Sequence, residues 1–444
     1  MTYRALSVYG LGVVERSPDA VPRVYKPWMG PRGMTSEATL ADIERAVEDL
    51  EEEAVSFLRE MVRTPSVNPP GDYAAILDLL RTRYGAYGWD VDVEWAPEAL
   101  LEELDLPHPR PNVLAYVTRG DGPTVALNAH IDTVPVQASK WTHEPFGAEV
   151  DDGRLYGRGA RDSKGRIAAY TLAARALEAT DLLPEEVTLV LALTADEETG
   201  GEAGAGHVVE SGALRADYAI VEGSTYAVEY ASSGVLTFRV DVDGASAHAG
   251  LEPEAGANAV VAAARLITGL DAHGEALAER VSEVPGVGGA TCTPATVEGG
   301  VKTNVVPPAC SFTVDRRVPP DHDMAAAERE FREVVAGVDL PDGTTASVEA
   351  LSRTRPFRSD PGDPHVRAVA RNAEAVLGDV PVRGTRGGSD AGHFHAGGTR
   401  AVKFGPGGRD SNVHGPDENL ALDQLRDAAV VVAASVRDIG REAE

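Results

Sequence analysis

Histidine and carboxylate side chains follow apolar runs of the chain at several separate points. His130 and Asp132 come directly after residues 124–128. A carboxylate two residues beyond a histidine can fix the tautomer of a metal-binding imidazole. Glu222 and His414 follow two further apolar runs. A His-x-Asp triplet alone is weak evidence, but the repeated pattern indicates metal chemistry.

Asp162 lies in the glycine-rich turn of residues 157–165, ahead of a predicted helix. The turn lacks the GxxxxGK[ST] spacing of a phosphate-binding loop, so a nucleotide is not its expected ligand. Taken alone, Asp162 is better explained as a helix N-cap. Its place among the other motifs makes it a candidate metal ligand.

Glu197 and Glu198 follow the apolar run of residues 187–194, in a row of three carboxylates that begins at Asp196. Adjacent carboxylates repel one another unless cations or solvent separate them. A solvated acidic loop is the alternative interpretation. A ligand and its chain neighbour cannot both face a metal from a strand end, so one of the two glutamates is free to act as a general base.

Three carboxylates and two histidines form a ligand set that suits Zn²⁺ without thiolate. If one carboxylate bridges two ions, each ion receives three protein ligands and keeps a position for water. Two ions about 3.5 to 4 Å apart lower the pKa of a shared water and polarise a carbonyl group. With a glutamate as general base, this arrangement predicts hydrolysis of an amide bond.

Short apolar runs alternate with helical stretches as far as about residue 226. This order predicts an α/β fold, a mostly parallel sheet flanked by helices on both faces. In such sheets, ligands bind beyond the carboxyl ends of the strands, which is where the motifs lie. The predicted strands span residues 113–117, 124–128, 187–194 and 218–221, and the predicted helices span 73–87 and 166–179.

Residues 228–352 have the order strand-helix-strand-strand-helix-strand, which is the ferredoxin-like α+β arrangement. This predicts a small domain inserted into a larger one that residues 1–227 and 353–444 form together. Residues 1–35 lack periodicity and are predicted to be an irregular extension. A helix is predicted to begin at Ser36.

The composition is strongly acidic, with 70 Asp and Glu against 41 Lys and Arg and a net charge of −29. Such a surface repels nucleic acid and anionic membranes. The sequence has no apolar run long enough for a membrane span and no secretory signal, which predicts a cytoplasmic location. The charge predicts a salt-rich, halophilic cytoplasm, with an ordinary acidic cytosolic enzyme as the alternative.

These motifs resemble the two-zinc family that contains acetylornithine deacetylase, succinyl-diaminopimelate desuccinylase, aminoacylase and glutamate carboxypeptidase. The similarity spans roughly residues 40 to 440 and includes the Pro-Ser-Val-Asn-Pro-Pro-Gly stretch at 65–71. It implies a zinc-peptidase-like catalytic domain that holds two divalent ions, zinc or else cobalt or manganese. The resemblance implies that His130 and Glu222 bind one zinc, that Glu198 and His414 bind the other, and that Asp162 bridges the two ions. It also implies that Glu197 is the general base and that Asp132 orients His130.

The inserted domain resembles the lid of that family. The stretch 244–250 matches one whose histidine, here His248, reaches the active site of a partner subunit and stabilises the oxyanion, which implies a homodimer paired through the lid. Many relatives continue with an arginine directly after the 387–391 loop, at a position that corresponds to Gly392 or His393 of this chain. The implied substrate contacts are Asn304, Arg317 with Arg316 as its competitor, Gly388 and Ser389.

The resemblance implies a deacylase that cleaves the amide bond of a small, carboxylate-bearing substrate such as an N-acyl amino acid. A dipeptidase or carboxypeptidase of the same family is one alternative. An acidic binding protein that keeps the fold without catalysis is another, although the complete set of ligands and base argues against it. The sequence leaves the acyl group and the native metal open.

Overall fold

The structure, a computed structural model, describes residues 40–442. The extension predicted over residues 1–35 and the predicted helix start at Ser36 lie outside the described residues. The helices are α1 Leu40–Val62, α2 Ala74–Tyr87, α3 Glu98–Glu103, α4 Lys164–Thr180, α5 His207–Glu210, α6 Ala259–Ala278, α7 Met324–Gly337, α8 Pro364–Leu377, α9 Ala391–Ala396 and α10 Leu422–Glu442. None of them is both long and apolar enough to cross a bilayer.

The strands form one large sheet, one four-stranded sheet and one small three-stranded sheet. Their bounds are β1 Asp90–Trp95, β2 Pro111–Thr118, β3 Thr124–His130, β4 Glu149–Asp151, β5 Arg154–Tyr156, β6 Thr188–Thr194, β7 Tyr218–Val221, β8 Val228–Ser232, β9 Gly234–Asp243, β10 Thr291–Gly299, β11 Ala309–Val318, β12 Thr345–Thr354, β13 Phe357–Arg358, β14 Val382–Thr385, β15 Arg400–Lys403 and β16 Asn419–Ala421.

The large sheet has the order β1-β2-β6-β3-β7-β15-β8-β13, with β14 paired to β8. Its four central strands, β6, β3, β7 and β15, are parallel, and the strands beside them on both sides are antiparallel. Alternate residues of β3 enter two different cores, Val125 and Leu127 on one face and Ala126 on the other. Because both faces are buried, the central strands are apolar throughout, and the predicted α/β fold is confirmed.

The four-stranded sheet has the order β10-β11-β9-β12, and all its strands are antiparallel. Helices α6 and α7 cover one face and share a separate core with it, in which the rings of Phe238 and Phe331 stack 4.0 Å apart. The order β9-α6-β10-β11-α7-β12 is the ferredoxin-like arrangement that the sequence predicts.

The insertion starts later than the predicted residue 228. Strand β8, at Val228–Ser232, pairs with β15, β13 and β14 of the large sheet, and the four-stranded sheet begins with β9 at Gly234. Only Ser233 separates the two strands, so the sequence gives no loop signal where the chain passes from one sheet to the other. The described residues 40–442 belong to one compact unit that includes both sheets.

The parallel strands bring the motifs to one edge of the large sheet. Strand β3 ends at His130, β6 at Thr194, β7 at Val221 and β15 at Lys403. Because parallel strands present their carboxyl ends at the same edge, the loops that follow them meet there.

Candidate metal centre

His130, the last residue of β3, has acidic neighbours around both ring nitrogens. Its Nδ1 lies 3.0 Å from the backbone oxygen of Asp132 and 3.3 Å from the Asp132 carboxylate. Its Nε2 lies 3.3 to 3.9 Å from carboxylate oxygens of Asp162, Glu197 and Glu222. One nitrogen therefore holds the ring in place while the other faces a cluster of acids, as in metal-binding histidines.

Asp162, just before α4, has each carboxylate oxygen beside a different histidine. Oδ1 lies 3.3 Å from Nε2 of His130, and Oδ2 lies 3.5 Å from Nε2 of His414. Arg166, one helical turn further on, donates a hydrogen bond to Oδ1. The backbone N–H groups of Asp162 and the preceding residue donate to Glu418 at 2.9 and 3.0 Å, which holds the turn in position.

Two groups of three side chains each bring their ligand atoms within 4.8 Å of one another. The sequence-predicted ligands are thus brought together, and Glu197 lies among them. Glu222, which in this chain is followed by Gly-Ser, lies within one of the groups. The groups are His130, Glu197 and Glu222, and Asp162, Glu198 and His414.

Crowded carboxylates make this edge of the sheet electronegative. Burial and the nearby Glu222 carboxylate hold the pKa of Glu197 well above its usual value. Hydrogen bonds to Asp162 and Glu198 raise the pKa of His414 to about 10. Carboxylates this close require protons or cations between them, so the site favours the binding of cations.

The donor set fits divalent metal ions. Glu198 Oε1 is buried and has no hydrogen-bond partner within residues 40–442, which leaves an acceptor oxygen in the cluster for an ion. Carboxylate oxygens and imidazole nitrogens are ligands for Zn²⁺ and for other first-row divalent ions. Cys292 and Cys310 are free thiols in the four-stranded sheet and are not part of the cluster.

A cavity of about 300 Å³ opens onto both ligand groups. Arg317 of β11 and Gly388 of the loop after β14 also line it. Asp315 accepts two hydrogen bonds from the Arg317 guanidinium, at 2.8 and 2.9 Å, which fixes its position. Arg316, on the other face of β11, is 2% exposed and bonds Glu330 at 3.2 Å. Of these two neighbours, it is Arg317 that lines the cavity.

The five residues after Gly388 are not among those that line the cavity. Ser389 is buried, and its hydroxyl accepts a hydrogen bond from the backbone of Ala391. A side chain at Gly392 would come 2.0 Å from the carbonyl oxygen of Arg355, so a larger residue does not fit there. His393 is also buried, and its Nε2 lies 2.8 Å from the carbonyl oxygen of Gly200.

His248 and Asn304 are exposed neighbours in the four-stranded unit, where the backbone N–H of residue 249 bonds the carbonyl oxygen of Asn304. Nδ1 of His248 accepts hydrogen bonds from the backbone of Gly250 and Leu251 at 3.2 and 3.1 Å. The proton of a neutral ring must then be on Nε2, which makes that atom a donor. Neither His248 nor Asn304 lines the 300 Å³ cavity of its own chain.

A profile of the peptidase family M20/M25/M40 matches residues 126–438, which are most of the chain and include the whole cluster. The chain belongs to this family. As an M20 peptidase it is a metal-dependent hydrolase of amide bonds, so the predicted reaction class and family are confirmed.

Two similar relatives of this M20 peptidase are deacylases by name. Succinyl-diaminopimelate desuccinylase of Cereibacter sphaeroides is 29% identical over 405 residues, which cover 86% of this chain and 98% of that protein. Aminoacylase-1 of Mus musculus is 29% identical over 371 residues, which cover 80% of this chain and 87% of that protein.

Solved structures of other M20 proteins share the fold. The dipeptidase Dug1p from Saccharomyces cerevisiae matches with a TM-score of 0.75 and 16% identity, over 91% of this chain and 99% of that one. A dinuclear metal-binding M20 peptidase from Bacillus subtilis matches with a TM-score of 0.59 and 19% identity, over 89% and 99%.

A buried network behind the M20 cluster was not predicted from the sequence. Asn68 donates through Nδ2 to Asp132 at 3.0 Å and to Asp196 at 2.9 Å. Asp196 also accepts from Arg110 at 2.7 Å and from Tyr73 at 3.1 Å. The network joins the carboxylate beside His130 to the residue just before Glu197. Asn68 lies in the family-like stretch at 65–71, but nothing in the sequence around Arg110, which lies between two prolines, indicates a role for it.

Arg158 and Glu418 form a second buried ion pair that was not assigned a role. Arg158 comes from the glycine-rich turn, and Glu418 from the segment that carries His414. Both residues lie in motifs that the sequence singled out, but their pairing depends on tertiary structure, because 260 positions separate them.

Proposed function

We propose that the protein is a two-zinc deacylase that hydrolyses N-acyl amino acids. The observation that carries this proposal is that members of both ligand groups and Arg317 line the same cavity of about 300 Å³. A scissile amide at the ligand groups and a carboxylate at Arg317 would both fit a small acylated amino acid. The desuccinylase and aminoacylase among its relatives support the same substrate class.

The proposed zinc ligands are those that the family resemblance assigned. Asp162 supports a bridging role because its two oxygens face two different histidines, at 3.3 and 3.5 Å. Two divalent ions bound there would lower the pKa of a water molecule and polarise the amide carbonyl. His130 and Glu222 would hold one ion, and Glu198 and His414 the other.

Glu197 is proposed as the general base. Its carboxylate lies 3.9 Å from His130 Nε2 and lines the cavity, so it can reach both a water molecule and the substrate. It would accept the proton of the attacking water and then deliver it to the leaving amine. The metal content of a Glu197→Gln variant distinguishes this role from that of a metal ligand.

Arg317 is proposed to bind the substrate carboxylate. Asp315 already accepts hydrogen bonds from Nε and Nη2, while Nη1 has a single long hydrogen bond, 3.4 Å, to the carbonyl oxygen of Arg386. Nη1 thus keeps donor capacity for a ligand. An arginine held by a carboxylate in this way is already oriented before the substrate arrives.

We further propose that the working unit is a homodimer in which His248 and Asn304 enter the site of the other chain. The Nε2 proton of His248 suits it to donate to the oxyanion of the reaction. Its exposure, away from the cavity of its own chain, supports action across a dimer interface formed by the inserted sheet. The strongly acidic charge supports our proposal that the enzyme works in a salt-rich cytoplasm.

A substrate screen tests the proposed activity. The purified protein is incubated with N-acetyl-ornithine, succinyl-diaminopimelate, simple N-acetyl amino acids and dipeptides, before and after chelation and with added Zn²⁺, Co²⁺ or Mn²⁺. We expect hydrolysis of at least one N-acyl amino acid, its loss on chelation and its best recovery with Zn²⁺. Hydrolysis of dipeptides alone would establish the peptidase alternative instead.

A further inference from the structure

Two buried charges of opposite sign lie in the cavity wall beyond the metal ligands. Glu229 of β8 is 5% exposed, and Lys403 at the end of β15 is 7% exposed. Both line the cavity that contains the ligand groups. Their positions are directly paired across the antiparallel contact of β8 and β15, so their side chains leave the sheet on the same face.

These two charges are not paired with each other or with another residue. Neither side chain makes a hydrogen bond or an ion pair with any part of the chain from residue 40 to 442. The other charged residues of the cavity wall are engaged: Arg166 and Arg161 lie beside Asp162, and Arg317 is held by Asp315. Their charged atoms open onto the cavity, so a ligand that displaces water there must offer each charge a partner.

A third free polar group lies in the same wall. The hydroxyl of Ser224, in the loop between β7 and β8, is buried and has no hydrogen-bond partner among the described residues. Of these three groups, the Glu229 carboxylate and the Lys403 ammonium open onto the cavity and can bind a ligand. An ammonium and a carboxylate on one ligand carbon would satisfy both charges at once.

We propose that Glu229 and Lys403 form a subsite for a zwitterionic amino acid head group at the far end of the substrate. The inference rests on the proposed deacylase function and narrows its substrates to N-acylated diamino dicarboxylic acids. Glu229 binds the distal ammonium group and Lys403 the distal carboxylate, while the amide to be cleaved lies at the ligand groups. A substrate without the head group would leave both charges buried and unpaired, which makes the subsite selective.

Four substrates with the same acyl group isolate the head group. They are the N-acyl derivatives of norleucine, lysine, 2-aminopimelate and 2,6-diaminopimelate, whose far ends carry a methyl group, an ammonium, a carboxylate, or both charges. We expect the wild-type kcat/KM for the diaminopimelate derivative to exceed that for the norleucine derivative by at least ~10-fold, the scale of hydrogen bonds to charged groups. Equal values for the four substrates would overturn the proposal.

Single variants give a crossed pattern that a purely structural role cannot produce. Glu229→Gln should lower kcat/KM for the lysine and diaminopimelate derivatives and raise it for the 2-aminopimelate derivative. Lys403→Gln should do the reverse, favouring the lysine derivative, and both variants should leave the norleucine derivative within about 2-fold. Lys140→Gln, an exposed change of charge outside the cavity, should alter none of these values. A uniform loss over all four substrates would instead mean that the pair only supports the sheet.

The double variant Glu229→Gln/Lys403→Gln removes both charges. It replaces the single variants in the test if one of them fails to fold. Calorimetry with free 2,6-diaminopimelate separates the subsite from the activity. Binding by the wild type that the double variant loses supports the subsite, even if no N-acyl substrate is cleaved and the proposed function fails. Equal binding by both proteins overturns the subsite, whatever the enzyme hydrolyses.

Discussion

The Arg110 guanidinium and the Asp196 carboxylate form an ion pair in which Nε and Oδ1 are 2.7 Å apart, and both side chains are 1% exposed. Removing one partner of such a pair leaves a buried charge unpaired. We therefore expect Arg110→Met to lower the free energy of unfolding by about 3 to 5 kcal/mol, measured by denaturant titration.

The exposed pair of Arg119 and Asp92 provides the control. Its atoms are 2.9 Å apart, but its side chains are 47% and 63% exposed. Arg119→Met should cost at most about 1 kcal/mol, because solvent already screens that pair. Equal losses of unfolding free energy in the two variants would show that the buried Arg110 pair stabilises the fold no more than the exposed pair does.

The roles of Glu197 and Glu198 can be separated by measuring metal content beside turnover. Glu197→Gln keeps the size of the side chain but cannot take a proton, so kcat should fall at least ~10²-fold while about two metal ions per chain remain bound. Glu198→Gln should lose part of the metal, because Glu198 contacts His414 at 3.1 Å in the second ligand group, and excess zinc should partly restore turnover. The opposite pattern of metal loss would exchange the two roles.

Mixed dimers test whether His248 works in the partner subunit. His248→Ala chains and Glu197→Ala chains are each expected to be inactive, but half of a random mixture is mixed dimers with one intact site each. About one quarter of wild-type activity should then return. As a control, a chain that carries both changes should depress the activity of wild-type chains with which it pairs. If mixed dimers form and neither effect is seen, His248 has no role across the interface.

Stability should depend steeply on salt because the net charge is −29. Screening shortens the range of repulsion from about 10 Å at 0.1 M salt to about 3 Å at 1 M. We expect Tm to rise by at least ~10 °C between about 0.1 M and about 2 M KCl. Amide replacements of the exposed acids Glu44, Glu48, Asp49 and Glu52 on α1 should raise Tm at low salt and have little effect at high salt. A flat Tm would indicate an ordinary acidic enzyme.

His365 of α8 should make stability fall in mild acid. Burial is the main cause that lowers its pKa to about 4, and the nearby Arg400 lowers this pKa further. A hydrogen bond to the Ala401 carbonyl oxygen and the charge of Asp363 act in the opposite direction. Because the folded pKa is below the usual value of about 6.5, the unfolded chain takes up the proton first. The neutral His365 contributes up to about 3 kcal/mol to the free energy of unfolding. This contribution is complete above pH 6.5 and is lost as the pH falls toward 4.

His365→Gln keeps an N–H donor for Ala401 and does not titrate, so its stability should vary less than that of the wild type between pH 6.5 and 4. His108→Gln, at a partly exposed position, should keep the wild-type pH dependence. Denaturant titrations across this range, at one salt concentration, measure the slopes. Parallel slopes for wild type and His365→Gln would rule out His365 as the cause.

The residues of the cluster could be predicted because they follow buried parallel strands, whose ends must meet. Glu222 illustrates this: its only signal was an acid after an apolar run, and it lies 3.6 Å from His130. Arg110 had no such signal, since its partner is 86 positions away and nothing local distinguishes an arginine between prolines. Glu229 and Lys403 occupy opposite positions because β15 lies beside β8, an order of strands that periodicity along the chain does not encode.

The contact of Glu418 with the backbone at Asp162 has a consequence for the synthesis of the protein. Glu418 and His414 follow the whole inserted sheet, and they complete a turn and a ligand group whose other members precede it. Synthesis proceeds from the N-terminus at about 5 to 20 residues per second, and domains generally fold as units. For most of that time the nascent chain lacks the residues that complete the second ligand group. The second ligand group, and with it the proposed two-ion site, can therefore form only after nearly the whole chain has emerged.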